Sequence, residues 1–497
     1  MLALAIAACG IVATACGAGC AGPGARLVPA VPVASETLPG ERLAYGYDTD
    51  GSGRADFREI LASDGRIAAI GYDTNEDGRV DEEIDLASVP VEEQRHLVII
   101  LDSIPIAIAD EVWRHGRLRY FAPPSQVVSP FPVMTDTALT EFFGMAPCPG
   151  IESEYFDGRR LTAGYFVYAE GGNTPWRAGV DYGLRPTMHS LAYLDYRPWF
   201  HHELGRIQRL FMERYERGEK LTVVYVVGTS AQGARAGRNG HADALVQVDR
   251  LCRTLVHATR GRVRVTLLSD HGHNLVASRR LRLGRLLERM GYRVRSSLDR
   301  PGDVVLPEFG MVTCVALHTH EPARVAGDVI GVEGVELAAY RDGEDSLVVL
   351  SKTGRARIGR TVDGFRYEPW EGDPLELGLV WERLRQEGLV GPAGEVADRV
   401  LFEATADHVY PDVVARLWRA FHGLVTHTPD VLLSIEDGWH FGSPLQSTLI
   451  SLQAAHGSLR ASSSNGMGMT MAGALPRVLR LADLRAALCE AGVPLCE

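Results

Sequence analysis

Short apolar runs alternate with amphipathic segments along the chain beyond residue 95. The runs are rich in Val, Ile and Leu, as in strands buried on both faces of a sheet, and they read HLVIILDS (96–103), TAGYFVYA (162–169), LTVVYVVG (221–228), VRVTLLSD (263–270), VTCVALHT (312–319) and SLVVLSK (346–352). Amphipathic segments with a helical period lie between them, as at 203–218, 241–259 and 277–291. This alternation predicts an α/β domain over residues 95–497 with a mainly parallel sheet and functional groups at the carboxyl ends of its strands.

A different pattern, an internal repeat, occupies residues 43–88. LAYGYDTDGSGRADFREIL and IAAIGYDTNEDGRVDEEIDL share Gly-Tyr-Asp-Thr, and their flanks alternate like strands, which predicts two strand–loop–strand units. Oxygen-bearing side chains follow the spacing of a calcium loop in both copies, namely Asp48, Asp50, Ser52, Asp56 and Glu59, then Asp73, Asn75, Asp77 and Asp81. We expect structural calcium here, bound more tightly by the first loop because the second has Ile84 in place of Glu59. Acidic turns without an ion are the alternative.

The first 25 residues are uncharged and dominated by Ala, Gly, Leu, Ile and Cys, which is typical of the apolar region of a signal peptide. The stretch Ile6-Ala7-Ala8-Cys9 resembles a bacterial lipobox, and Ala13-Thr14-Ala15-Cys16 is a weaker second copy. A plain signal peptide or a misassigned start codon are the alternatives. Residues 26–42, rich in Pro and Ala, predict a tether. We therefore expect export to the periplasm or outer cell surface, with the membrane contacted only through a lipid anchor.

Composition excludes one class of partner and one class of site. A formal net charge of −12 argues against a nucleic-acid-binding surface, because binding to phosphate backbones requires positive charge. The cysteines beyond the leader show no zinc-ribbon spacing, and only the pair Cys489 and Cys496 suggests a disulfide. Candidate chemistry must therefore come from other residues.

Those residues follow the predicted strands. Asp102 ends the first apolar run, and Asp270 and His271 end the run at 263–268. Thr135 follows a proline-containing loop and precedes a helix-like segment, so its hydroxyl is expected at a helix N-terminus, where free N–H groups suit a phosphate. Two carboxylates, an imidazole and a hydroxyl form a mixed oxygen and nitrogen set appropriate to zinc or manganese.

The order of motifs resembles a known family. Asp102, Thr135 within PFPVMTDTALTEFFG, SDHGH at 269–273 and His456 within AAHGSL follow one another as in the type I phosphodiesterase/nucleotide pyrophosphatase branch of the alkaline phosphatase superfamily, over roughly residues 95–480. The resemblance implies an α/β/α sandwich that hydrolyses small phosphate mono- or diesters with two metal ions, usually zinc. It places Asp102, Thr135, Asp270 and His271 around one ion, with Thr135 as nucleophile, and assigns His456 to the other.

The chain departs from that family pattern at the second ion. Ser230 and Ala234 stand where the family has an Asp and a His, so one or two ions are expected. Substitutes come from nearby groups, either as metal ligands or as phosphate contacts, and the candidates are His241, Asp243, His273, Arg235 and Arg238. The leading hypothesis is an exported metal-dependent phosphoric ester hydrolase. The alternatives are an impaired pseudoenzyme that binds a phosphorylated ligand, or a calcium-binding adhesion lipoprotein.

Overall fold

The computed structural model describes residues 28–162, 164–169 and 174–496, so the predicted leader at 1–25 lies outside the described residues. The strands in chain order are β1 (Ala34–Leu38), β2 (Arg42–Tyr47), β3 (Phe57–Leu61), β4 (Ile67–Tyr72), β5 (Glu82–Asp85), β6 (Arg95–Leu101), β7 (Ser125–Val128), β8 (Asp181–Tyr182), β9 (Leu221–Val226), β10 (Val263–Leu268), β11 (Arg279–Arg280), β12 (Arg293–Arg295), β13 (Asp303–Val305), β14 (Met311–Val312), β15 (Cys314–Thr319), β16 (Val335–Arg341), β17 (Ser346–Ser351), β18 (Gly354–Arg360), β19 (Phe365–Glu371), β20 (Val431–Ile435), β21 (Trp439–Gly442), β22 (Asn465–Thr470) and β23 (Val478–Arg480).

The helices in chain order are α1 (Ile106–Arg114), α2 (Thr135–Phe143), α3 (Gly164–Ala169), α4 (His189–Leu194), α5 (Tyr196–Glu216), α6 (Gly228–Ala258), α7 (Leu283–Arg289), α8 (Pro322–Val329), α9 (Gly378–Gln386), α10 (Asp398–Thr405), α11 (Val413–Phe421), α12 (Pro444–Leu449), α13 (Ala461–Ser464) and α14 (Leu481–Glu490). None of the helices described here is long and apolar enough to span a membrane.

The central sheet has seven strands in the order β23-β7-β22-β10-β6-β9-β8. Strand β6 lies between β10 and β9 and is parallel to both, and only β22 runs antiparallel to its neighbours β10 and β7. The apolar runs at 96–103, 221–228 and 263–270 form these three inner parallel strands. The prediction of a mainly parallel sheet is confirmed.

Both faces of this sheet are covered by helices, as the side chains of β6 show. Leu97 and Ile99 belong to a buried cluster with residues of α1, α5 and α6. The intervening Val98 and Ile100 belong to another cluster, with residues of α2 and α14. Burying each such side chain contributes about 1.5–3 kcal/mol, which explains why a strand with two apolar faces has a helix layer on each. The architecture is therefore an α/β/α sandwich.

A second sheet of eight strands, β12-β13-β15-β20-β16-β17-β18-β19, was not predicted. The runs at 312–319 and 346–352 form β15 and β17 of this sheet, which is antiparallel apart from the pair β12 and β13, so their placement in the parallel sheet was wrong. The run at 162–169 is also no strand, because residues 164–169 form α3. An apolar run of eight residues fits either a strand or a buried helix.

Residues 34–85 form a five-stranded antiparallel sheet in the order β1-β2-β3-β4-β5. The two acidic loops connect β2 to β3 and β4 to β5, as the repeat predicts. The tether prediction for residues 26–42 was wrong in part, because residues 34–38 form β1 and pair with β2. Cys489 and Cys496 form the suggested disulfide, with Cα atoms 6.1 Å apart.

A buried ion pair joins this N-terminal sheet to α6. The Glu59 carboxylate, 2% exposed, accepts hydrogen bonds from Arg253 Nε at 2.7 Å, Tyr120 OH at 2.7 Å and Tyr47 OH at 2.9 Å. Arg253 also lies against the Tyr47 ring, 4.7 Å from its centroid. Glu59 was predicted as a calcium ligand, and that prediction was wrong because β3 directs its side chain into the interface, away from the loop.

We predict that Arg253→Met destabilises the N-terminal sheet by about 3–5 kcal/mol, because it leaves the Glu59 carboxylate buried without its cation. Hydrogen exchange of residues 34–85 should become faster, and the urea midpoint should fall. Arg262→Met is the matched control, since its pair with Glu93 is about half exposed and contributes at most about 1 kcal/mol. Equal effects of the two substitutions would contradict a stabilising role for the buried pair of Glu59 and Arg253.

Candidate functional site

The register of two neighbouring strands brings Asp102 and Asp270 together. Strands β6 and β10 are parallel with Ile100 opposite Leu268, so the residues two positions further on leave the sheet side by side. Both carboxylates are buried, Asp270 completely. Among the described residues, no arginine or lysine pairs with either of them; their only ion-pair partner is His271. Two buried acids in this position require either a cation between them or a proton on one of them.

Hydrogen bonds to the backbone hold the turns that follow these strands. Ser103 has a φ of 67°, which directs its N–H to Asp270 Oδ1 at 3.1 Å, and its hydroxyl donates to Asp102 Oδ1 at 2.5 Å. Ser269 Oγ accepts from Ile104 N at 2.8 Å and donates to the His271 carbonyl at 2.5 Å. The two turns are thus bound to each other, which fixes the carboxylates in relation to the imidazole.

Thr135 is the first residue of α2, as predicted. Its Oγ1 atom lies 3.4 Å from His271 Nε2. The first N–H groups of a helix have no partner within the helix, so the hydroxyl sits where an anion would find free donors.

Ligand atoms of Asp102, Asp270 and His271 lie within 4.8 Å of one another, and the Thr135 hydroxyl lies beside His271, at the spacing that a small cation requires. His271 Nε2 lies 3.4 Å from Asp270 Oδ2, 3.8 Å from Asp102 Oδ1 and 3.4 Å from Thr135 Oγ1. Tetrahedral ligands with bonds of about 2.0–2.1 Å to zinc are separated by about 3.3 Å. Asp270 Oδ2 is buried and has no hydrogen-bond partner within the described chain, which leaves its lone pairs available. The residues therefore fit a zinc or manganese ion.

Two histidines of the site are held in the tautomer that binds metal. His271 Nδ1 lies 3.1 Å from the Gly272 carbonyl, and His456 Nδ1 lies 2.8 Å from the Val133 carbonyl. A carbonyl only accepts, so both Nδ1 atoms carry the proton and both Nε2 atoms present a lone pair. Burial lowers the pKa of both rings, that of His456 to about 4, so both are neutral. The two rings stack with their centroids 4.1 Å apart.

Ser230 and Ala234, which stand where the family has metal ligands, make other contacts in this structure. Ser230 lies in the first turn of α6, and its hydroxyl is 3.1 Å from Ser103 Oγ and 2.9 Å from Tyr193 OH. Ala234 is buried in a small apolar cluster with Leu452 and Ala455. A hydroxyl network and an apolar contact therefore stand where the family places a carboxylate and an imidazole.

Of the five residues proposed to replace the missing ligands, two lie beside the site and three do not. His241 and His273 are buried beside the site, and His241 Nε2 lies 3.0 Å from His273 Nδ1. Asp243 is exposed, so its proposed ligand role was wrong. Arg238 is exposed and pairs with Glu111, and Arg235 donates to the Tyr193 carbonyl at 3.0 Å. Both arginines have other partners, so neither reaches the carboxylates.

Two tyrosines complete the site and escaped the sequence analysis. Tyr225 OH donates to Asp102 Oδ2 at 2.6 Å, and Tyr193 OH donates to Ser230 Oγ. Tyr225 lies within the apolar run of β9 and Tyr193 within α4, and no local motif marks either of them. Ser103 contacts both acids and, apart from following Asp102, belongs to no sequence motif.

The acidic loops of the N-terminal sheet have the same internal hydrogen bonds. Asp48 accepts from Gly53 N at 2.9 Å, and Asp73 accepts from Gly78 N at 2.8 Å. Carboxylate oxygens of Asp48, Asp50 and Asp56 lie within 4.8 Å of one another. The first loop thus groups three of the five predicted ligands, without Glu59.

A family model described as type I phosphodiesterase/nucleotide pyrophosphatase matches residues 132–459, which is more than half of the chain. No curated protein sequence matches the chain. Among solved structures, human ectonucleotide pyrophosphatase/phosphodiesterase 5 is 12% identical with a TM-score of 0.44, and the match covers 80% of this chain and 94% of that one. Phosphonoacetate hydrolase from Sinorhizobium meliloti 1021, solved with phosphonoacetate, is 11% identical with a TM-score of 0.42, covering 84% and 98%.

We predict that zinc binding to the metal-free protein releases a proton. Burial, and then the neighbouring charge of Asp102, raise the pKa of Asp270 well above its usual range, so without metal this carboxyl keeps its proton to a higher pH than an ordinary Asp does. Zinc needs the deprotonated carboxylate, so its affinity should increase as pH rises towards that pKa. Calorimetric titration in buffers of different protonation enthalpy measures the released proton. Asp270→Asn should abolish the release and weaken binding; a binding heat independent of the buffer would contradict the prediction.

Proposed function

Because the chain belongs to the type I phosphodiesterase/nucleotide pyrophosphatase family, we propose that it is a metal-dependent phosphoric ester hydrolase with Thr135 as its nucleophile. The observation that supports this most directly is the position of the Thr135 hydroxyl, at the first residue of α2 and 3.4 Å from His271 Nε2. The proposed substrate is a small phosphate mono- or diester, and the proposed cofactor is zinc or manganese, held by Asp102, Asp270, His271 and Thr135.

In the proposed reaction, Thr135 Oγ1 attacks the phosphorus atom. The bond from phosphorus to the leaving alcohol breaks as the bond to Thr135 forms, and the hydroxyl proton passes to the Asp270 carboxylate, which like Thr135 lies 3.4 Å from His271 Nε2. The free N–H groups at the start of α2 are placed to donate to phosphoryl oxygens, where negative charge increases. A bound zinc ion would supply Lewis acidity and the positive charge that two buried carboxylates lack.

The second half of the reaction, hydrolysis of phosphorylated Thr135, is the weak point of this site. His456 keeps its ligand tautomer, but Ser230 and Ala234 provide neither a carboxylate nor an imidazole beside it. We therefore propose a site for one transition-metal ion, with slow release of phosphate from Thr135. A chain that binds a phosphorylated ligand and scarcely turns it over is the second candidate function, and these two residues favour it.

Calcium in the N-terminal loops and export with a lipid anchor complete the proposal. Asp48, Asp50 and Asp56 support calcium in the first loop, and the matching hydrogen bonds of Asp73 support the second. The uncharged segment at 1–25 supports export, as does the disulfide, because disulfides persist mainly in oxidising compartments. The charge of −12 supports a small-molecule substrate over nucleic acid.

We predict that Thr135→Ala lowers phosphoesterase activity on aryl phosphate mono- and diesters by about 10⁴-fold or more, because it removes the attacking atom. Thr135→Ser keeps a hydroxyl and should retain measurable activity. In the wild type, mass spectrometry after acid quenching should find a phosphate adduct on the peptide containing Thr135. If the Thr135→Ala variant turned over substrate as fast as the wild type with unchanged zinc content, Thr135 would not be the nucleophile.

We also predict that calcium stabilises the full chain, by about 2.7 kcal/mol at a calcium concentration of about 100 times Kd. The combined substitution Asp48→Asn and Asp56→Asn should remove the larger part of the first loop's contribution, because it removes two of three grouped carboxylates. Calorimetric unfolding with calcium and with chelator measures the effect. Asp64→Asn is the control, an acid in a turn outside both loops. Identical unfolding temperatures with and without calcium would count against calcium binding by these loops.

A further inference from the structure

Helix α6 is shaped to bring His241 against His273. Gly237 has a φ of 59° and a ψ of −137°, which kinks the helix just before His241. A Cβ atom at Gly233 would lie 2.0 Å from His241 Nε2, so the ring fits only because this residue is glycine. His241 is completely buried and His273 is 2% exposed. The packing therefore fixes the 3.0 Å approach of His241 Nε2 to His273 Nδ1.

His273 differs from the two other histidines with which it clusters. Its ring centroid lies 5.5 Å from that of His456 and 6.4 Å from that of His271. Those two rings have Nδ1 bonded to a backbone carbonyl and so present a lone pair from Nε2. His273 Nδ1 instead faces another imidazole, which can either donate or accept. The tautomer of His273 is therefore set by His241.

Burial of His241 decides between the two tautomers. Its Nδ1 atom is buried and has no hydrogen-bond partner among the described residues. An unpaired N–H group is rarer in protein interiors than an unpaired acceptor, so the proton of His241 belongs on Nε2. His241 Nε2–H then donates to His273 Nδ1, and the proton of His273 is left on Nε2. Of the three clustered rings, His273 is the one that presents an N–H donor.

A metal ion between His241 and His273 fits the geometry less well than a direct hydrogen bond between the two rings does. Zinc requires at least three protein ligands even in open sites, and among the described residues His241, His273 and His456 do not form a group whose ligand atoms lie mutually within 4.8 Å. Among the described residues, the transition-metal group whose ligand atoms lie mutually within 4.8 Å is Asp102, Asp270 and His271, and it includes neither His241 nor His273. A donor role fits the pair better than a ligand role.

We propose that the Nε2–H group of His273 donates a hydrogen bond to a phosphoryl oxygen of the substrate, on the side of the site that Ser230 and Ala234 leave without an ion. His241 is a positioning residue that keeps His273 in this tautomer. The inference rests on the proposed function and gives it a direct phosphate contact that the family pattern does not assign. The ligand class is a tetrahedral oxyanion such as a phosphoryl group, for which orthovanadate is the probe.

The first test observes the tautomer in the zinc-loaded full chain labelled with ¹⁵N-histidine. His273→Gln identifies the signals of residue 273. We expect a protonated Nε2 and an unprotonated Nδ1 in His273, with the Nε2–H signal shifting when orthovanadate is added. An unprotonated Nε2, or a signal unmoved by orthovanadate bound at the site, would overturn the inference.

The second test compares variants by zinc content, orthovanadate affinity and kinetics. His273→Leu removes the donor and should weaken orthovanadate binding by about 10–100-fold and kcat/KM by about 10²–10³-fold, with zinc content unchanged. His273→Gln places an amide N–H near the same position and should recover part of each loss. His241→Gln keeps a donor towards His273, so it should lower orthovanadate affinity and kcat/KM less than His241→Leu does. His318→Gln on β15 is the control.

The outcomes separate this inference from the proposed function. Loss of zinc from His273→Leu would make His273 a metal ligand and overturn the inference while leaving a hydrolase intact. If the wild type hydrolyses no ester, the proposed function fails, but the tautomer and the response of its N–H signal to orthovanadate still decide whether His273 is an oxyanion donor.

Discussion

Two carboxylates that leave neighbouring parallel strands at the same level are the constraint on which the rest of the site depends. Asp102 and Asp270 are buried together without an arginine or lysine partner in the described chain. The two acids can be buried side by side only with a cation between them or with a proton on one of them. The surrounding contacts preserve this arrangement, because Ser103 bonds to both acids and His271 turns a lone pair towards them. The candidate metal site depends on this arrangement.

Helix α6 connects this site to the N-terminal sheet. Ser230 lies in its first turn, His241 follows its kink, and Arg253 near its other end pairs with Glu59 of β3. The sheet that carries the acidic loops is therefore fixed to the same element that lines the phosphate side of the site. Apolar packing and a buried ion pair attach it, and removing one partner of such a pair is strongly destabilising.

The inner strands of the central sheet and the convergence of Asp102 and Asp270 at their ends could be predicted from sequence, because buried parallel strands read as continuous apolar runs and their ends meet at one edge. The second sheet could not, since an apolar run does not specify which strand it pairs with. Glu59 was misplaced because its partner Arg253 lies 194 residues away. Tyr193 and Tyr225 left no local signal for the same reason. Asp243 could have been excluded, because on a helix it faces away from His241, two residues earlier.

The proposed site holds one transition-metal ion between Asp102, Asp270 and His271. Anomalous diffraction at the zinc edge from crystals of the zinc-loaded full chain tests it most directly. We expect one fully occupied peak, with bonds of about 2.0–2.2 Å to these three residues and to Thr135. A second peak of equal height beside Ser230 and His456, or zinc bound away from the two carboxylates, would contradict it.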